Sequence, residues 1–277
     1  MKLYRTTAGI AVEAGEDLFL LPEKNWDTCI NRDNLHGLLQ VEIRDLPPLA
    51  GDWLAAQTIL APIQSQEIWA AGVTYLRSRN ARMEESKEAG GDTFYDKVYD
   101  AERPEIFFKS TAQRTVGTGG TVRIRKDSTW DVPEPELTLF ITTSGRIAGY
   151  TIGNDMSSRS IEGENPLYLP QAKMYEGCAA LGPCLYVPEK PIAPDAEITL
   201  EINRGSEQVF HGNIAISQMK RRHTELVDFL FRECDFPHGC FLMTGTGIVP
   251  AHPFTLQSRD EILITISHIG TLRNIVG

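Results

Sequence analysis

The residues of this chain best placed to do chemistry lie in Trp130-Asp131-Val132-Pro133-Glu134-Pro135-Glu136-Leu137. In an extended chain, side chains two apart share a face, so Glu134 and Glu136 aim two carboxylates at one point. That is half of a metal site. Pro135 cannot donate to a β-ladder and pushes the segment toward an edge or bulge, where a site can open to substrate. Alone, a Glu-x-Glu pair is as readily a solvated strand face, because charged side chains mostly meet water. The next strand-like run, Ile147-Ala148-Gly149-Tyr150-Thr151-Ile152, shifts the balance by delivering Gly153-Asn154-Asp155 and then Met156-Ser157-Ser158-Arg159. Two adjacent strands can therefore bring a third carboxylate, Asp155, to the first two. Three anionic oxygens with water in the remaining positions suit a hard divalent cation, Mg²⁺ first, with Mn²⁺ or Ca²⁺ as substitutes. No set of His or Cys stands at zinc spacing to compete.

Three further stretches surround this motif: Tyr99-Asp100-Ala101-Glu102-Arg103-Pro104-Glu105-Ile106-Phe107-Phe108-Lys109, Glu164-Asn165-Pro166-Leu167-Tyr168-Leu169-Pro170-Gln171-Ala172-Lys173, and Thr244-Gly245-Thr246-Gly247-Ile248-Val249-Pro250. With Pro133-Glu134-Pro135-Glu136-Leu137 they cover most of the chain from about residue 67 onward. Together they resemble the fumarylacetoacetate hydrolase superfamily, most closely its branch that dehydrates 2-keto-3-deoxy sugar acids such as the arabinonate. The resemblance implies a metal held by Glu134, Glu136 and Asp155, and a Lys173 that lies in the pocket. A lysine there can neutralise a substrate carboxylate or transfer a proton. It also implies that Glu105 shares in the acid/base work, that Thr246 and the glycines beside it offer a hydroxyl and backbone N–H groups to substrate, and that the protein assembles as a homo-oligomer. Lys109, which closes the strand begun at Glu105, is a further substrate-binding candidate.

One departure separates the branches. Hydrolases and decarboxylases of the superfamily carry a water-activating His and Glu on a short helix after a Gly-Val-Asn-Tyr-like motif. This chain reads Gly72-Val73-Thr74-Tyr75-Leu76-Arg77-Ser78-Arg79-Asn80-Ala81, and none of its His residues, at 36, 211, 223, 238, 252 and 268, is near. Arg77 and Arg79 could instead bind the carboxylate of an acidic substrate. The expected reaction is a Mg²⁺-dependent dehydration of a 2-keto-3-deoxypentonate to 2,5-dioxopentanoate. The cation would act as a Lewis acid on the 2-keto and carboxylate oxygens while a C3 proton and the 4-hydroxyl depart. The alternatives are hydrolysis of an acylpyruvate-type carbon–carbon bond, decarboxylation of a 2-keto dicarboxylate, and a protein that only binds keto acids.

These residues need strands to position them. Short apolar runs recur at Glu67 to Val73, Ile106 to Phe108, Thr121 to Ile124, Leu137 to Thr142, Ile147 to Ile152, Leu181 to Val187, Glu197 to Ile202 and Ile262 to Ile266. Helices are expected around Asn34 to Leu39 and Thr224 to Glu233. Residues 76 to 100, with Gly90-Gly91 in the middle, read as two hinged helices that could form a lid. Strands without strict helix alternation argue for an α+β, mostly β protein with a mixed or antiparallel sheet, and against a Rossmann arrangement. Turn residues near position 60 suggest a small amino-terminal domain over 1–60 and a catalytic domain over 61–277. Gly117-Thr118-Gly119-Gly120 lacks the Lys-Ser/Thr of a phosphate loop and reads as a turn, and Lys220-Arg221-Arg222-His223 reads as a solvated helix start.

Composition excludes other classes. With 277 residues and 42% apolar content the chain can bury a sizeable core, and disorder, collagen and coiled coil are out. Its 27 basic residues against 37 acidic ones form no basic stripe, so nucleic acid is not an expected partner. The partner is a small-molecule 2-keto acid. No run reaches the roughly 18 to 20 apolar residues that span a bilayer, and residues 1–6 lack a signal-peptide core. Five Cys without a Cys-x-x-Cys pair suit the cytoplasm, and Cys178 and Cys184 read as buried bystanders.

Overall fold

The computed structural model describes residues 1–86 and 97–277. Apolar runs of two to nine residues, cut by Gly, Pro and Asn turns, fold into strands rather than helices because few stretches keep a 3.6-residue period. The strands in chain order are β1 (Lys2–Thr6), β2 (Gly9–Ala14), β3 (Asp17–Leu20), β4 (Glu67–Gly72), β5 (Glu105–Thr111), β6 (Thr115–Val116), β7 (Thr121–Val122), β8 (Asp131–Val132) and β9 (Pro135–Ile141). They continue as β10 (Ile147–Asp155), β11 (Ser157–Ser158), β12 (Ala179–Tyr186), β13 (Glu197–Arg204), β14 (Glu207–Ala215), β15 (Cys240–Met243), β16 (Glu261–Ile266) and β17 (Gly270–Val276). A ten-stranded sheet runs β3-β2-β1-β12-β10-β9-β15-β4-β5, with β6 beside β12, and a five-stranded sheet runs β14-β13-β16-β17-β7. Most pairs are antiparallel, while β15–β4, β12–β6 and β17–β7 are parallel, so the sheets are mixed as expected.

The large sheet is covered on both faces. On one, Leu137, Leu139, Ile141 and Ile152 pack with Ile198, Leu200, Ile262 and Ile264 of the smaller sheet. On the other, Phe140, Phe241, Leu181 and Leu185 pack with Trp26, Ile30, Leu35 and Leu39 from the helices Trp26–Ile30 and Leu35–Glu42. Double coverage explains why every residue of β9 is buried and why its sequence lacks clean polar alternation. At about 1.5 to 3 kcal/mol per fully buried large apolar side chain, these two layers dominate the stability of the frame around the site.

Residues 1–60 contribute β1, β2 and β3 to the same large sheet through the pairing of β1 with β12. The helix Leu76–Ser86 stands where the first of the two hinged helices was expected, and Gly90-Gly91 lies outside the described residues. Gly117–Gly120 is a turn, whose Gly117 and Gly120 carbonyls accept from the Asn274 amide. The segment at Lys220–His223 differs from expectation. Arg221 is buried and donates to the carbonyls of Val98, Ala101 and Glu102 as well as to Glu225. Its two terminal nitrogens make four hydrogen bonds, three of them to carbonyls of the incoming segment, which a count of charges along the chain does not reveal.

Candidate active site and metal centre

Pairing of β9 with β10 places the acidic side chains. Gly153 lies opposite Glu136, and the Asp155 N–H donates to the Glu134 carbonyl at 3.0 Å. The period of two then turns Glu134, Glu136 and Asp155 to one side of the sheet end. Each offers a carboxylate oxygen within 4.8 Å of the others, and all three are buried. The cleft before them is walled by Gly72 and Val73 at the end of β4, with Ser78, Phe107, Arg159 and Thr246. Val73 holds φ of 53°, a left-handed conformation that costs a β-branched residue and is tolerated where surroundings enforce it. Gly245, at φ 95°, has no such cost; its N–H donates to Glu136 Oε2 at 2.6 Å, and a Cβ there would lie 2.0 Å from Thr74 Oγ1.

Buried carboxylates need compensating charge. Lys173, at the end of the helix Leu169–Lys173, sends Nζ to Glu134 Oε2 at 2.7 Å, Asp155 Oδ2 at 3.2 Å and Ser157 Oγ at 2.6 Å. Arg159 Nη2 donates to Glu134 Oε1 at 2.5 Å, and its Nε lies 3.8 Å from Glu162 Oε2. Lys109 Nζ pairs with Asp155 Oδ1 at 2.6 Å. Burial pushes the Glu136 carboxyl well above the ordinary carboxylate range, reinforced by the charges of Asp155 and Glu134 and opposed by the Gly245 N–H and Lys173. Such a cluster gains from a proton or from a cation. An all-oxygen donor set with no His or Cys among the cleft residues fits Mg²⁺ or a similarly hard ion.

The other sequence candidates divide. Thr246 lines the cleft, with its hydroxyl donating to the Ile248 carbonyl at 3.1 Å. Glu105 sits at the start of β5 opposite Gly72; its Oε2 is buried without a hydrogen-bond partner among the described residues and reaches to 1.8 Å from where a Gly72 Cβ would stand. Lys109 is fully buried behind Asp155. Arg77 is exposed on the helix Leu76–Ser86 and outside the cleft lining, and Arg79 stacks on Tyr99 at 5.0 Å. Sequence reading assigned nothing to Arg159, Ser157 and Glu162. The only signal was their place directly after Asp155, since residues that follow a strand end share its site.

The sequence profile of the Fumarylacetoacetate (FAA) hydrolase C-terminal family matches residues 68–277. The chain belongs to the fumarylacetoacetate hydrolase family. Among fumarylacetoacetate hydrolase family relatives, a probable 2-keto-3-deoxyxylonate dehydratase of Haloferax volcanii is 46% identical over 239 residues, covering 86% of this chain and 81% of that protein. A 2-dehydro-3-deoxy-D-arabinonate dehydratase of Saccharolobus solfataricus is 44% identical over 216 residues, covering 77% and 72%. The fold matches a solved 2-keto-3-deoxyarabinonate dehydratase with TM-score 0.87 at 36% identity, over 100% of this chain and 99% of that one. It also matches 2-keto-3-deoxy-D-arabinonate dehydratase complexed with magnesium and 2,5-dioxopentanoate, with TM-score 0.84 at 35% identity, over 100% and 98%. The mostly β, mixed-sheet architecture is therefore that of the family.

Proposed function

We propose that this protein is a Mg²⁺-dependent dehydratase that converts a 2-keto-3-deoxypentonate to 2,5-dioxopentanoate. The observation that carries the reading is the buried meeting of Glu134, Glu136 and Asp155 with Lys173 in one cleft. Relatives named as dehydratases of such acids support it. We assign the metal to Glu134, Glu136 and Asp155, where a bound divalent cation supplies Lewis acidity toward the 2-keto and carboxylate oxygens of the substrate. The residues around it do the proton work. Glu105, whose Oε2 has no donor among the described residues and abuts Gly72 of the cleft wall, serves as base for the C3 proton, and the Lys173 ammonium delivers a proton to the departing 4-hydroxyl. Thr246, which lines the same cleft, orients the substrate.

Water activation by His, which the acylpyruvate hydrolase and decarboxylase readings need, has no candidate among the cleft residues. We also propose residues 1–60 as a structural unit that seals one face of the large sheet. All five Cys are free, and among the described residues no helix is long and apolar enough to cross a membrane. We place the protein in the cytoplasm, as a homo-oligomer of pentose degradation. Purified protein with Mg²⁺ tests the reading: release of 2,5-dioxopentanoate from 2-keto-3-deoxypentonate supports it, and turnover of acylpyruvates or oxaloacetate alone overturns it.

A further inference from the structure

Lys109 stood out in the sequence as a possible substrate ligand, yet its surroundings give it other work. The side chain is fully buried. Nζ donates to the Met156 carbonyl at 2.9 Å and the Lys173 carbonyl at 2.5 Å, and pairs with Asp155 Oδ1 at 2.6 Å. Two of the ammonium's three N–H donors go to these carbonyls and its charge is paired with Asp155, so the group is committed to the protein rather than to a ligand. Each contact lands on a functional segment. Asp155 is one of the three clustered carboxylates; Met156 joins it to Ser157, which accepts from the Lys173 ammonium; and the Lys173 carbonyl belongs to the residue whose Nζ meets Glu134 and Asp155.

From this geometry we propose that Lys109 is a positioning residue that ties the end of β10 to the helix Leu169–Lys173 and holds Asp155 to a single outward oxygen. With Oδ1 taken by Lys109, Asp155 turns Oδ2 to the cluster. One oxygen from this ligand rather than two keeps coordination positions open for the 2-keto acid. The inference deepens the metal-dependent reading of the same cleft and rests on it. The Lys109 charge also repels a cation held by Asp155, so the tie trades metal affinity for an open and ordered site.

The test is Lys109→Met, neutral and close in length, measured beside the native protein. Mn²⁺ binding is followed by titration calorimetry, with kcat and KM for the 2-keto-3-deoxypentonate. The expected result is Mn²⁺ affinity raised by about tenfold or more, since a like charge close to the ion is removed. At the same time kcat falls by about a hundredfold with KM changed far less, because a misplacement near 1 Å costs on that order. Loss of the charge alone would raise metal affinity and leave kcat near native, so the fall in kcat at little-changed KM is what reports positioning. Unchanged or weaker Mn²⁺ binding, or native kcat, overturns the proposal. If the variant folds only with Mn²⁺ present, the ion replaces the missing positive charge as proposed; failure to fold with Mn²⁺ overturns it. Mn²⁺ affinity reads Lys109 even where the native protein turns out to lack dehydratase activity, so loss of the proposed reaction and loss of this inference remain separable.

Discussion

Gly72→Ala probes how the proposed base is held. The new Cβ would stand 1.8 Å from Glu105 Oε2 and 2.6 Å from its Cδ, whereas ordinary contact begins near 3.4 Å, so the carboxylate must retreat by about 1.6 Å. The clash is with the end of a flexible side chain rather than with backbone, and the fold can absorb it by swinging Glu105 aside at about 1 kcal/mol or less of stability. Catalysis cannot absorb it so easily, since a displacement of about 1 Å can cost roughly 100-fold. We expect kcat to fall about 100-fold, or about 2.7 kcal/mol of barrier, with Mn²⁺ affinity unchanged. Glu105→Gln should lose about 10² to 10⁴, and Gly72→Ala combined with it should lose nothing more, because both changes remove one function. The assay is 2,5-dioxopentanoate release, with thermal unfolding as the control. A Gly72→Ala protein that keeps native kcat, or a double variant far below Glu105→Gln, would refute the placement of Glu105 as the base.

Two further predictions concern pH. Glu136 holds its proton more tightly in the folded, metal-free protein than its ordinary value of 4.5 allows. The folded state therefore binds more protons than the unfolded one above that value, and metal-free stability falls as pH rises from it. Thermal melts in chelator should show this fall in the native protein and a flatter profile in Glu136→Gln; parallel profiles would contradict the assignment. Burial lowers the pKa of His223 to about 4 from 6.5, and its Nε2 is buried without a partner among the described residues. A depressed histidine contributes stability above its unfolded value that is lost as pH falls from 6.5 through about 4. The size is at most about 3 kcal/mol. His223→Gln should remove this acid sensitivity in denaturant melts between neutral pH and pH 4; an unchanged slope would count against it.

Much of the frame was legible because its strands are apolar runs bounded by turn residues, as at Glu67–Gly72 and Pro135–Ile141. The Glu134, Glu136 and Asp155 set was legible for the same reason: a period of two and one hairpin fix their common side. What escaped lacked a periodic signal. β14 is an edge strand with exposed polar residues, and β15 is four residues long and wholly buried, so neither alternates. The helix Arg159–Glu164 has six residues, one of them glycine, too short to show an amphipathic face. The roles of Lys109 and Arg221 depend on carbonyl acceptors brought from distant segments, and no local spacing encodes those partners.

In the proposed site three carboxylates hold one hard cation at the end of β9 and β10. Crystals soaked in Mn²⁺ and measured at its absorption edge test it most directly. A single strong anomalous peak is expected with one oxygen each from Glu134, Glu136 and Asp155 at about 2.0 to 2.4 Å. A peak held by other residues, or none in the cleft while dehydration persists in chelator, would contradict it.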